Sequence, residues 1–275
     1  MKIFKIILIL TIGLFLTSCE DVIDVDLDTA APRLVIDASI DWVKNTSGSE
    51  QKIKLSTTTG YYNAEFPTVS GADIVVTNTA NTVFNFVENP GTGEYICTDF
   101  EPIIGETYTL TINLNGETYT ATEKLINVPD IKDTIDQNDK GGIMGDNIEI
   151  TYYYQDDPDH DNYYLNSIIT SYIVFPQYEV ESDNNQQGNL ISEIYWHEDL
   201  KPGDVINIKL YGISKRYYKY FNKILQASGN SGGGGMFSTT PTAVRGNIVN
   251  QTNGEKFPYG YFRLSEVDTK SYTIK

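Results

Sequence analysis

Between residues 108 and 114 apolar and polar side chains alternate strictly. Leu110, Ile112 and Leu114 fall on one parity, Thr109, Thr111 and Asn113 on the other. A period of two places the two sets on opposite faces of a strand, one for a core and one for water. Asn115-Gly116 then supplies the two positive-φ residues of a type I′ turn, and residues 117–121 return. An isolated hairpin is marginal in water, so the chain must supply further strands. It does: Leu34, Ile36, Ala38 and Ile40 share a parity, as do Ile53 and Leu55, Ile74 and Val76, Tyr95 and Cys97. Short strands at this spacing predict a sandwich of immunoglobulin or fibronectin type over residues 31–128.

The character changes at Asn127-Val128-Pro129-Asp130, and a domain boundary is set between residues 128 and 129. From Asp130 to Asp161 the chain holds ten acidic residues and two lysines. Residues 138–142 read as an exposed loop. The second domain, 129–275, is again β but more aromatic. Ile148, Ile150, Tyr152 and Tyr154 alternate with Glu149, Thr151 and Tyr153. Further strands are expected at 162–175, 187–196, 206–210, 259–264 and 271–274. A helix over about 214–228 interrupts them. Ser214 suits its N-cap, Tyr217, Tyr220, Phe221, Ile224 and Leu225 recur at helical spacing, and Gly229 suits its C-cap. Residues 230–235 (NSGGGG) read as a flexible loop. The predicted fold is therefore mainly β: two β-sandwich domains with one short amphipathic helix in the C-terminal one.

The first nineteen residues carry an address. Lys2 and Lys5 precede an apolar run over residues 6–16 broken by Thr11 and Gly13. As a helix at about 1.5 Å per residue the run falls short of a hydrocarbon core about 30 Å thick, so residues 1–18 read as a signal peptide. Leu16-Thr17-Ser18-Cys19 places small residues before a cysteine, and this resembles the lipobox of bacterial lipoproteins. Cleavage before Cys19 and lipidation of its thiol would anchor the chain. An acidic tether follows over residues 19–30, similar to a surface-export signal.

Taking Lys2 and Lys5 from the 20 basic residues leaves 18 against 37 acidic, a formal charge of −19 for the mature chain. Such a surface repels phosphate backbones, which excludes nucleic acid as a partner. With Cys19 acylated, only Cys97 remains, so no internal disulfide can form, and Cys97 reads as a small core residue.

Candidate sites are few. Asp157, Asp159 and Asp161 alternate as in a calcium loop. The turn glycine is replaced by Asn162, however, and Ile168 stands where a bidentate Glu belongs, so a polar turn is the plainer reading. The glycines at 232–235 lack the Lys-Ser/Thr of a phosphate loop. No GxSxG presents a nucleophile, and no cofactor is implied. Paired carboxylates for glycoside hydrolysis cannot be singled out in so acidic a chain. Lys215, Arg216, Lys219 and Lys223 form either the wet face of the helix or a positive patch that meets an acidic partner. Tyr152, Tyr153, Tyr154, Tyr163, Tyr164 and Tyr172 are either a stacking platform or, in part, core.

Several segments in order resemble one family: residues 19–24 (CEDVID), 32–37 (PRLVID), 69–74 (VSGADI), 105–110 (GETYTL), 161–164 (DNYY), 246–250 (GNIVN) and 260–262 (GYF). Their order is similar to that of the Bacteroidota surface lipoproteins of domain of unknown function 4249. The resemblance implies an outer-membrane lipoprotein facing the cell exterior, lipidated at Cys19, and encoded beside TonB-dependent transporters. The expected role is non-enzymatic ligand capture or import. A structural or adhesion subunit is the second reading and a surface hydrolase the third.

Overall fold

A computed structural model describes residues 31–60, 63, 65–184, 186–228 and 243–275. The signal segment, Cys19, the rest of the acidic tether, Gly229 and the 230–235 loop lie outside the described residues. The chain is mainly β. Its first half contributes β1 (Leu34–Val43), β2 (Gln51–Thr57), β3 (Asp73–Asn78), β4 (Val83–Asn89), β5 (Glu94–Cys97), β6 (Thr107–Leu114) and β7 (Glu117–Lys124). The second half adds β8 (Ile131–Gly141), β9 (Asn147–Gln155), β10 (Tyr163–Thr170), β11 (Gln177–Ser182), β12 (Leu190–Trp196) and β13 (Val205–Gly212). It continues with α1 (Lys215–Ala227), β14 (Val249–Asn250) and β15 (Tyr259–Thr273). Twelve strands form one sheet in the order β11-β10-β13-β15-β1-β2-β5-β4-β3-β6-β7-β14, and β12-β9-β8 form a second. Among the described residues no helix is long and apolar enough to cross a membrane.

The β6–β7 hairpin forms around Asn115 at φ 51° and Gly116 at φ 77°, the two positive values that a type I′ turn demands. Leu110 and Ile112 are fully buried, while Thr109 and Thr122 oppose each other on the wet face. The large sheet curls, so that β1, β2 and β5 enclose one apolar core with β3, β4, β6 and β7. Phe100 packs on Phe84 and Tyr108 at ring-centroid distances of 4.7 and 5.2 Å. Cys97 is buried in this core, and burial pushes its thiol up to about 11.

The expected boundary at 128/129 is not a break in space; Pro32–Lys275 forms one compact unit. The reason is β15. Residues 259–264 and 271–274, expected as two strands, are joined in one strand of 15 residues. Its first part pairs in parallel with β1, from Val35↔Tyr259 to Val43↔Val267. Its second part pairs antiparallel with β13, from Tyr211↔Val267 to Val205↔Thr273. Ile248, Phe262 and Leu264 consequently sit in the first core. A parallel pair needs a long crossover, and here it is residues 44–258, all of the elements between β1 and β15.

Three further expectations change. The strand expected at 162–175 ends at Thr170, and β11 follows as a separate strand. β4 forms although it had no place among the expected strands; Phe84 and Phe86 are its buried parity. Residues 138–141 are the end of β8 rather than loop, and the turn starts at Gly142 with φ 70°. β8 is an edge strand that buries only Ile131 and Gly141, so it carries no apolar period.

Candidate functional site

β10 is buried on both faces. Tyr163 and Leu165 belong to the cluster under α1, Tyr164 and Ile168 to the core shared with β9, β12 and β13. Asn166 shares the parity of the second pair. Its antiparallel partner on β11 is Glu179, and the next same-face pair is Tyr164↔Glu181. Directly paired residues share a face, so Glu179 and Glu181 stand on the Asn166 side. From the other sheet β12 sets Glu193 opposite Tyr152 of β9.

A cavity of about 660 Å³ opens between these elements. Tyr152, Asn166, Glu179, Glu193 and Tyr195 line it, and Asn222, Leu225 and Gln226 of α1 add to its wall. A smaller one of about 180 Å³ is lined by Tyr154, Tyr164, Glu181 and Asp183, and Glu193 belongs to both. β11 and β12 are each the terminal strand of their sheet, so both expose an unpaired backbone edge.

The cleft is acidic and unneutralised. Among the described residues lining either cavity there is no Lys, Arg or His. Glu181 and Glu193 are half-buried. Burial, then the charge of Glu179, pushes Glu181 up to about 7. Burial, then the charge of Glu181, does the same to Glu193. Tyr154 donates to Glu193 Oε1 at 3.1 Å, and Tyr152 donates to Asn166 Oδ1 at 3.0 Å. Burial first, and the charge of Glu193 second, holds the Tyr152 and Tyr154 hydroxyls far above their usual range. Asn166 is 3 % exposed, and its Nδ2 has no hydrogen-bond partner. Asp156, buried beside the smaller cavity, accepts from Tyr164 at 2.7 Å and from Gly188 N at 3.0 Å, which ties the β11–β12 loop to the end of β9.

Of the residues singled out from sequence, Tyr152, Tyr154 and Tyr164 line these cavities; the acidic loop and the helix cations lie elsewhere. Asp157, Asp159 and Asp161 do not converge. Asp157 accepts from Asp159 N at 3.0 Å and lies 3.2 Å from His160 Nδ1, while Asp161 accepts from Gln187 at 2.9 Å. Among the described residues no group of three acidic, His or Cys side chains could hold a metal. The loop is a polar turn. Ser214 caps α1 by accepting from Tyr217 N at 3.2 Å, and the C-cap is Ser228. Lys215, Arg216, Lys219 and Lys223 are exposed, as the wet-face reading requires. Lys215 lies 3.9 Å from Asp161 and 5.5 Å from the Tyr163 ring centroid. Of the six tyrosines proposed as a platform, Tyr152, Tyr154, Tyr163 and Tyr164 are buried. Tyr153 donates to Asp136 at 2.8 Å. The sequence reading missed Asn166, Glu179, Glu181 and Glu193. The available signal was a polar residue on the apolar parity of its strand: Asn166 between Tyr164 and Ile168, Glu193 between Ile191 and Tyr195.

Fold and cleft together define a mainly β protein with an acidic, tyrosine-walled cleft. The chain belongs to the family described as Domain of unknown function (DUF4249), whose model matches residues 20–271. Among curated proteins none matches. Solved structures similar to the chain include a two fibronectin type-III domain segment from chicken tenascin. It is 12 % identical with a TM-score of 0.21, over 66 % of this chain and 90 % of that one. The FN1-FN3 domains of chicken CNTN1 are similar at 13 % identity and a TM-score of 0.24, over 65 % and 62 %.

Proposed function

We propose that the chain is a non-enzymatic surface lipoprotein that captures a ligand in the cleft between β11 and β12, beside a TonB-dependent transporter of the outer membrane. Cys19 carries the lipid, and the acidic stretch that follows holds the body outward from the membrane. The observation that carries this reading is the cleft: a cavity of about 660 Å³ walled by tyrosines, carboxylates and a buried Asn166 Nδ2 without a partner. An unsatisfied buried polar group costs about 1–3 kcal/mol, a cost that a bound ligand removes.

Purification of the full chain in mild detergent tests the role. Recovery of a large barrel transporter supports it; recovery of other surface subunits without a barrel supports a scaffold instead. Cys19→Ala should release the protein from membranes or stop its maturation, and normal palmitate labelling in that variant refutes the anchor.

One observation favours a surface hydrolase as a second reading. Glu181 and Glu193 border one cavity, and burial raises both carboxyls, as it raises the general acid of a glycoside hydrolase. Turnover of a glycoside panel that disappears in Glu193→Gln would establish it.

A further inference from the structure

Three places in the molecule gather groups that the fold alone does not explain. Exposed apolar side chains at Ile143 and Met144, and at Val174 and Phe175, have nothing that says what covers them. The buried Arg263 is matched inside the fold by Asp41. The cleft differs from both, because two independent features there point to the same missing counterpart.

The first is charge. Glu179 and Glu193 line the larger cavity, Glu181 lines the smaller one beside it, and no basic side chain among the described residues lines either. Glu193 lines both cavities, so the three carboxylates face one cleft. At a few ångströms two charges interact by about 1 kcal/mol in water and several-fold more in a half-buried site. The second feature is Asn166. Its carbonyl is used by Tyr152, while its Nδ2, buried in the same wall, has no acceptor. The counterpart therefore carries both a cation and an acceptor atom.

We propose, resting on the capture role above, that the cleft takes a protonated amine: an ammonium group between Glu179 and Glu193, with an acceptor atom of the same ligand on Asn166 Nδ2. A neutral sugar satisfies Asn166 but leaves the carboxylates uncompensated. A divalent cation needs a convergent cage, and among the described residues none exists. An amine needs only one or two carboxylates, and the tyrosine faces on the wall add cation–π attraction. Two sources share this chemistry. One is a free polyamine. The other is a lysine of an extended peptide, which the unpaired edges of β11 and β12 could pair as an added strand.

The charge state of the site sets its pH dependence. On β11 and β12 the carboxyls raised toward neutrality are Glu181 and Glu193. Asp183 follows β11, its carboxyl raised by burial. The hydroxyls of Tyr152, Tyr154, Tyr164 and Tyr195 stay protonated through neutral pH. The residues that α1 contributes to the wall do not titrate. Protonation of Glu193 below neutrality removes one of the cation's partners, and protonation of Glu181 beside it weakens the field further, so affinity falls as pH falls.

Titration calorimetry on the full mature chain in detergent, at low salt, tests this with spermidine and with an extended lysine-containing peptide, each beside its N-acetylated form. Binding at pH 8 that weakens at least tenfold at pH 5.5, and at least tenfold in Glu179→Gln/Glu193→Gln, supports the proposal. Preference for spermidine or for the peptide identifies the source. Because Glu179 is exposed, the Glu179→Gln change does not threaten folding. Acetylated and free forms binding equally, or calcium alone binding, overturns it. A neutral oligosaccharide that binds at pH 8 and is lost in Asn166→Leu overturns the amine while the capture role stands. No binding by any of these, with ligand-dependent growth unchanged when Ile194→Trp blocks the cleft, overturns both.

Discussion

The two faces of β10 bury charge in opposite ways. Toward α1 lies Arg263, with its side chain 6 % exposed. Its Nη2 is 2.8 Å from Asp41 Oδ1, close enough for Coulomb attraction though not aligned as a hydrogen bond, and its Nη1 donates to Ser265 at 2.7 Å. The guanidinium also lies over Tyr211 and Tyr217, 5.0 and 5.2 Å from the ring centroids. Burial pulls its pKa down, but Asp41 and these tyrosines outweigh burial and hold it above the usual arginine range. Toward the three-stranded sheet lie Glu181 and Glu193, with no cation on the cavity walls described. There burial wins and the carboxyls rise to about 7. Arg263 has its partner built into the fold; Glu181 and Glu193 have no cation on the cavity walls described.

The sharpest way to break this contrast is to remove one charge from each face. Arg263→Met keeps much of the side-chain volume but leaves Asp41 without its cation. Breaking a buried pair from one side typically costs about 3–5 kcal/mol. The Asp41 side chain, 36 % exposed, recovers some water, so the lower end applies. Thermal unfolding should shift down by about 6–12 °C for a chain of this size. Glu193→Gln should do the reverse and leave Tm unchanged or raised at pH 8. If both substitutions destabilise alike, the carboxylates are structural and the contrast fails.

The next effect is on pH dependence. Glu181 and Glu193 have folded pKa values of about 7, above the ordinary carboxylate value of 4.5. The folded state therefore holds more protons than the unfolded one between those limits. Stability falls as pH rises from about 4.5 through about 7, and changes no further from this source above that. After allowance for their partial exposure, each carboxylate contributes about 1–2 kcal/mol to the fall. Urea denaturation at pH 5 and pH 8 measures it. The Glu181→Gln/Glu193→Gln double variant should flatten the difference, and an unchanged slope would rule out these two residues as its source.

The fold was legible in most strands with one wet face, β4 being the exception. The β6–β7 hairpin alternates because only one side meets the core, and the Asn-Gly turn sets its register. β8 was illegible because as an edge strand it buries almost nothing; β10 was read within a strand over 162–175, but because it buries both faces no alternation marked its sides or its end at Thr170. The return of β15 to β1 left no local trace, since pairing between Val35 and Tyr259 depends on residues more than two hundred positions apart. The cleft suffered from the same cause. Asn166 and Glu193 stand out only once the faces they occupy are known, whereas Asp157, Asp159 and Asp161 stood out by spacing and proved to be a turn.

The smallest expected effect bears on the cover of the Arg263 face. Ser214 caps α1 by accepting from Tyr217 N, and the same Tyr217 packs T-shaped on Tyr261 with ring centroids 4.9 Å apart. One residue thus links the helix start to the lid over the guanidinium. Ser214→Ala should cost about 1 kcal/mol, the ordinary value of an N-cap. Because α1 also supplies Asn222, Leu225 and Gln226 to the cavity wall, a frayed helix loosens both faces, but unequally. Its first turn lies over the buried pair, and its last turns meet a cavity that is already open. Hydrogen exchange should therefore quicken at 215–218 more than at 222–226. Equal quickening along the helix would mean that α1 docks as one rigid unit, and that the two faces of β10 share a common cover.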